Sequence, residues 1–228
     1  ERVSIYVRKR CWEMEMAKPV FFISSTIYDF RDLRSALKFY LEDRGCTVLP
    51  SECNDFKKSL DLHSYPACLQ AISNADYFIL LIGSRVGGWY DKVNRVSITQ
   101  AEYREALKLH LQGRIKLLTF VRSEIWSLKE DRADLAEYLR SLEIKSCQRE
   151  RIVNHPSKRI EDASFLIDFI NEVGRKTETK RAVNGRIPLP TGNWIHQFST
   201  FRDIIDVVHR FTISEIVISD QTDRRLLR

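Results

Sequence analysis

Glu102 closes the run Thr99-Gln100-Ala101-Glu102, which follows an apolar stretch, Tyr77 to Ile82, and a glycine-rich loop from Gly83 to Tyr90. A carboxylate in the first turn of a helix is stabilised as the anion by unpaired backbone amides. A nucleophile or a stabiliser of positive charge must be in that state, and a general acid must not. The same four residues also read as a capping box, in which Thr99 accepts from the third helical amide and Glu102 reaches back to the cap. A second polar turn, Ser24-Ser25-Thr26 followed by Asp29, ends the apolar stretch Val20 to Ile23. Hydroxyls and free amides at a helix start form a recurring phosphate site, and they cap helices equally well. In the loop, Gly83 and its neighbour Ser84 permit close backbone approach to a ligand, and Arg85 suits pairing with a phosphate. Ligands in an open parallel sheet lie beyond the carboxyl ends of strands, where the strand order reverses. Both polar turns fall there.

The elements that must hold these residues alternate along the chain. Apolar strand candidates at 20–24, 47–50, 77–83 and 116–121 are separated by helical stretches, the signature of β-α-β units. Phe30, Leu33, Leu37, Tyr40 and Leu41 recur at three-to-four spacing within a helix from Tyr28 to Arg44 that stops at Gly45. Further helices are predicted over Tyr65 to Asn74, Thr99 to Gln112, Leu128 to Leu142 and Asp162 to Val173. The stretch from Arg175 to Gly192 is charged, holds two prolines and lacks periodicity, which predicts a surface loop. A last strand, Ile195 to Phe198, leads into a helix from about Thr200 to Ile216. The pattern predicts an α/β fold: a flavodoxin-like, three-layer sandwich around a mostly parallel five-stranded sheet in the order 2-1-3-4-5. Residues 1–17 read as an extension, 18–217 as one domain and 218–228 as a basic tail.

With 228 residues, of which 43% are hydrophobic, the chain can bury a substantial core. The formal net charge of +6 comes from clusters at Arg149 to Arg159, Arg175 to Arg186 and Arg224 to Arg228. No aromatic residues interleave with them, so they read as solvated surface, and no nucleic-acid partner is expected. Five cysteines without C-x-x-C spacing suit reduced thiols in the cytosol and no disulfide framework. No apolar run approaches the roughly 20 residues that cross a bilayer, so no membrane partner is expected. Cys53, His63 and Cys68 lack the paired short spacing of zinc ligands, and no metal is expected. The loop at Gly83 has neither the Lys-Ser/Thr of a nucleotide triphosphatase nor the spacing of a serine-hydrolase elbow.

Phe21-Phe22-Ile23-Ser24-Ser25-Thr26-x-x-Asp29-x-x-x-x-Arg34, Cys68-Leu69-x-x-Ile72-x-x-Ala75-Asp76 running through Ile82 to Gly87, Ser97-x-Thr99-x-x-Glu102-Tyr103, and Trp194 to Phe201 occur in that order. In this the chain resembles the domain of unknown function 4062 family over roughly residues 18 to 212. That family is in turn similar to Toll/interleukin-1 receptor (TIR) domains and nucleoside 2-deoxyribosyltransferases, in which a Glu at the start of a comparable helix cleaves an N-glycosidic bond. The resemblance implies Glu102 as the catalytic residue and NAD, as substrate and not cofactor, or a related nucleotide. Around Glu102, the residues Ser24, Ser25, Thr26, Gly83, Ser84, Arg85 and Thr99 read by their own chemistry as a substrate cradle. Asp29 and Asp55 would hold ribose hydroxyls or supply a proton, and Trp89 and Tyr90 would stack on a base. The resemblance further implies a setting in defence or innate-immune signalling, with self-association or a signalling NTPase module as partner. A non-catalytic interaction module and a nucleotide sensor that binds without turnover are the alternatives, because function resides in sites and not in folds.

Overall fold

Phe21, Phe22 and Ile23 are fully buried, and so is every residue of the strand Tyr77–Ile82. Strands buried on both faces read as continuous apolar runs and belong in the middle of a parallel sheet. The computed structural model, which describes residues 18–50, 64–185 and 194–213, places them there. In chain order the elements are β1 (Val20–Ser25), α1 (Ile27–Glu42), β2 (Thr47–Pro50), α2 (Ser64–Ile72), β3 (Tyr77–Ile82), β4 (Trp89–Asp91), β5 (Val96–Ser97) and α3 (Ile98–Leu111). There follow β6 (Lys116–Arg122), α4 (Ser123–Arg140), α5 (Ser146–Val153), α6 (Ala163–Val173), α7 (Lys176–Val183), β7 (Ile195–Phe198) and α8 (Phe201–Val208). The main sheet has five strands in the order β2-β1-β3-β6-β7, all parallel. This is the expected flavodoxin-like order, and the strand direction is uniform where a mostly parallel sheet was predicted.

Alternation along the strands divides the core in two. Phe22, Phe78, Leu80, Ile82 and Val121 face α2, α3 and α6, where Ile72, Tyr103, Ala106, Leu166, Phe169 and Ile170 meet them. Phe21, Ile23, Ile79, Leu81, Phe120 and Phe198 face α1 and α8, against Phe30, Leu37, Leu41, Ile204 and Val208. Stacked rings tie β1 to β3 on both faces, Phe21 on Tyr77 at 4.7 Å and Phe22 on Phe78 at 5.7 Å. The chain leaves β1 for β2 on one side and then crosses to β3 on the other. The reversal of order therefore falls between β1 and β3, where Ser24 pairs with Leu80.

Four elements differ from the sequence reading. Residues 176–183, predicted as loop, form α7; none of its residues is buried, so no apolar stripe marked it. It is held by the Thr179 hydroxyl donating to the Arg175 carbonyl at 2.9 Å and by an Arg175–Glu178 ion pair at 3.8 Å. Residues 186–192 of that predicted loop lie outside the described residues. α5 also buries nothing and was missed for the same reason. β4 and β5 form a hairpin too short for a period to register, its turn fixed by the Asp91 carboxylate accepting from the Val93 and Asn94 amides. α8 runs to Val208 and continues as a single wide turn over His209–Ile213, within the predicted helix, whose residues 214–216 lie outside the described residues. Among the described residues no helix is long and apolar enough to cross a membrane, and no three His, Cys, Asp or Glu are grouped to hold a metal.

His196 on β7 packs against the Phe120 ring at 5.6 Å, and burial, with Arg210 nearby, pushes its pKa below the ordinary imidazole value. The unfolded chain therefore binds this proton more readily than the folded one, so stability is lost as pH falls below about 6.5. Urea midpoints measured from pH 8 to 5 are expected to drop at the acid end, and His196→Gln is expected to flatten that drop. Equal slopes in the two proteins would assign the effect elsewhere.

Candidate functional site

The start of α3 decides what Glu102 does. The Ile98 amide donates to the Gly88 carbonyl at 2.9 Å, and the Ser97 hydroxyl accepts from the Gln100 amide at 3.1 Å, so Ser97 is the cap. Thr99 is then the second helical residue and Glu102 the fifth, and the capping box read at Thr99 and Glu102 is not formed. The overlapping pattern Ser97-x-x-Gln100 supplies the serine half of such a box two residues earlier. Gln100 itself is buried, and its side chain donates to Glu172 at 2.6 Å instead of reaching back to the cap. Glu102 lies past the amides of the first turn, so the stabilisation expected from them is not what holds it. Its side chain leans toward the helix start, as helical side chains do, and meets β1, where the Ser24 hydroxyl donates to Oε2 at 2.6 Å. That length is usual for a hydroxyl donating to a carboxylate. Glu102 is 3% exposed and Ser24 is fully buried.

Beside this pair lies a cleft of about 660 Å³, lined by Ser25, Thr26, Ile27 and Tyr28 on the α1 side, Cys68 of α2, Ile98, Thr99 and Glu102 of α3, Gly87 and Gly88 of the loop, and Arg85 and Glu161. The volume is that of a small-molecule site. It sits past the carboxyl ends of β1 and β3, at the reversal of strand order. Thr26 caps α1 with its backbone, while its hydroxyl makes no capping bond and is buried without a hydrogen-bond partner. Ser25 is fixed from behind by Arg34, 2% exposed, whose guanidinium donates to the Ser25 hydroxyl at 2.7 Å. Gly87 has φ +78°, and a Cβ there would lie 2.9 Å from Thr26 Cγ2. Glycine is what lets the loop cross the α1 terminus this closely.

The predicted residues divide between the cleft and its supports. Ser25, Thr26, Arg85, Thr99 and Glu102 line the cleft, and Ser24 holds Glu102 from beneath. Asp29 does not line it. Its carboxylate accepts from the Arg85 amide at 2.8 Å and from Ser84 at 3.4 Å, and pairs with the Arg85 guanidinium at 3.9 Å. Asp29 and Ser84 instead line a neighbouring depression against α4. Gly83 contributes by absence, because a Cβ would meet Asp29 Oδ2 at 2.6 Å and the Phe30 ring at 2.7 Å. Trp89 packs edge-on to Phe165 at 5.2 Å, Tyr90 is exposed on the hairpin, and neither lines the cleft. Asp55 lies outside the described residues.

Sequence reasoning passed over Tyr28, the exposed aromatic ring at the cleft, although it lies two positions past the Ser-Ser-Thr turn. It also passed over Glu161. Oε2 of Glu161 accepts from the Val86 amide at 2.8 Å and its own amide donates to the Ser84 carbonyl at 3.0 Å, so it clamps the loop. Glu161 is thus the second carboxylate of the cleft. It lies 59 positions beyond Glu102, counted from the two residue numbers, in a segment without a motif, so only the fold brings it there.

Residues 21–184 match the family model described as Domain of unknown function (DUF4062), and the chain belongs to that family. Among solved structures, it is similar to the TIR domains in a structure of the activated Roq1 resistosome recognising the pathogen effector XopQ. That likeness has a TM-score of 0.38 at 12% identity and covers 68% of this chain and 98% of that one. No curated protein matches the chain.

Proposed function

We propose that this protein is an N-glycosidase that cleaves the bond between ribose and base in NAD or a related nucleotide, with Glu102 as the carboxylate that meets the anomeric carbon. The observation that carries this is the position of Glu102: on the cleft, at the reversal of strand order, bonded to Ser24 and not spent on capping its own helix. In NAD the nicotinamide is already cationic. The C–N bond breaks with its electron pair passing to the ring nitrogen, neutral nicotinamide leaves, and no proton donor is needed. One carboxylate either stabilises the cationic ribosyl group or attacks it, and water then completes ADP-ribose and releases a proton. Thr26, with its unpaired hydroxyl, and the free amides of α1 suit a phosphate of the substrate. Tyr28 takes the stacking role first given to Trp89 and Tyr90. The family resemblance supports a cytoplasmic effector in defence or innate-immune-type signalling, acting as an assembly of copies or beside a signalling NTPase module.

The test is release of nicotinamide from NAD by the purified chain at low and high protein concentration. Release is expected with NAD and not with NADH, whose reduced ring is a neutral and poor leaving group. A specific rate that climbs with protein concentration would mark activation by assembly. Saturable NAD binding with no nicotinamide at any concentration would replace the enzyme with a nucleotide sensor. Absence of both would leave an interaction module.

A further inference from the structure

Arg132 on α4 is 6% exposed, and its Nη2 donates to the His155 carbonyl at 2.7 Å, yet its Nε and Nη1 are buried without hydrogen-bond partners. A buried guanidinium with donors unmade is costly, because each has given up water for nothing. Arg132 is one of the residues around a separate cavity of about 360 Å³, which shares no lining residue with the cleft. Lys129 and Lys176 line the same cavity from α4 and α7. Burial, and after it the charge of Lys176, pushes the Lys129 ammonium below its ordinary pKa. Asn171, also on the wall, has its Oδ1 buried and unpaired. Carboxylates are present too. Glu137 and Asp168 face the cavity, but burial and the neighbouring Asp162 push the Asp168 carboxyl up, toward its neutral form. Adding Arg140, cations on the wall outnumber carboxylates.

We propose that this cavity binds the phosphate group of a small phosphorylated molecule. Phosphate oxygens are strong acceptors for guanidinium N–H donors, which Arg132 has to spare at Nε and Nη1 on its two edges. The dianion sits against both ammonium groups and relieves their mutual repulsion. The size of the cavity suits a phosphate with a small organic body and excludes a dinucleotide, so the ligand differs from the molecule proposed for the cleft. The site stands whether or not the chain cleaves NAD.

Calorimetric titration of the full chain with inorganic phosphate and with pyrophosphate tests it. One saturable site is expected, tighter for pyrophosphate and weakened by added salt, since part of the attraction is screened. The double variant Lys129→Gln/Lys176→Gln leaves Arg132 in place and the fold intact, and is expected to weaken binding at least about tenfold. Its melting temperature without ligand should be equal to or above that of the parent. Arg85→Gln, on the rim of the cleft, is expected to leave the affinity unchanged. No saturable heat at millimolar ligand overturns the proposal. So does binding that survives the double variant, or that is lost in Arg85→Gln.

Discussion

Glu102→Gln is expected to reduce nicotinamide release by at least about 10³-fold, the scale on which removing a reacting side chain acts. The melting temperature should move little. Gln has nearly the same shape, and its carboxamide oxygen still accepts from the Ser24 hydroxyl where Oε2 now does. What it lacks is the negative charge that a cationic ribosyl group requires. Glu102→Ala is the informative contrast. It removes the acceptor as well as the charge and leaves a fully buried hydroxyl unmet, which costs about 1–3 kcal/mol. Single-turnover assays and thermal melts on both variants separate the roles. Turnover that persists in Glu102→Gln would show that the carboxylate is a strut between α3 and β1 and not a catalytic group.

Gly83→Ala carries the second large effect, on stability. The added methyl would lie 2.6 Å from Asp29 Oδ2 and 2.7 Å from the ring of Phe30, which is 1% exposed. The Phe30 ring is packed in the core and has nowhere to go, and Asp29 is committed to the Arg85 amide. Overpacking of this kind costs about 1–3 kcal/mol. Chemical denaturation should show the midpoint falling with an unchanged slope. Arg85 and the loop over the cleft are displaced with Asp29, so substrate affinity should fall in parallel. A variant as stable as its parent would mean that the loop shifts freely and that its close approach to α1 does not set the site.

The sheet was legible in the sequence because its strands are of the kind that announce themselves: runs such as Tyr77 to Ile82, bounded by turn residues, have few alternative readings. The helices that bury a stripe, α1 and α6, were legible through Leu37, Leu41, Phe169 and Ile170. α5 and α7 bury nothing and so left no periodic trace. At the site, local chemistry singled out Glu102 and the serine turn but misjudged their relation. The two capping patterns at Ser97 and Thr99 overlap, and what selects the first is the pairing of the Ile98 amide with Gly88, a contact made through the hairpin. Asp29 was conspicuous for its position beside the turn, yet its partners Ser84 and Arg85 lie 55 and 56 residues away. Glu161 and Tyr28 are ordinary surface residues in sequence. Only the closing of β1 against β3, and of the segment before α6 against the loop, gives them a place.

Because that hairpin ends directly in the cap of α3, it acts as the crank that sets the helix's rotational phase. One residue inserted between this cap and Glu102 would turn the carboxylate by about 100° about the helix axis and carry it out of reach of Ser24. One residue inserted at the hairpin's tip, between Lys92 and Asn94, is absorbed by the exposed turn without transmission. An insertion that leaves the site intact is thereby confined to the tip, where the chain is free to acquire new outward contacts while the orientation of the carboxylate is kept.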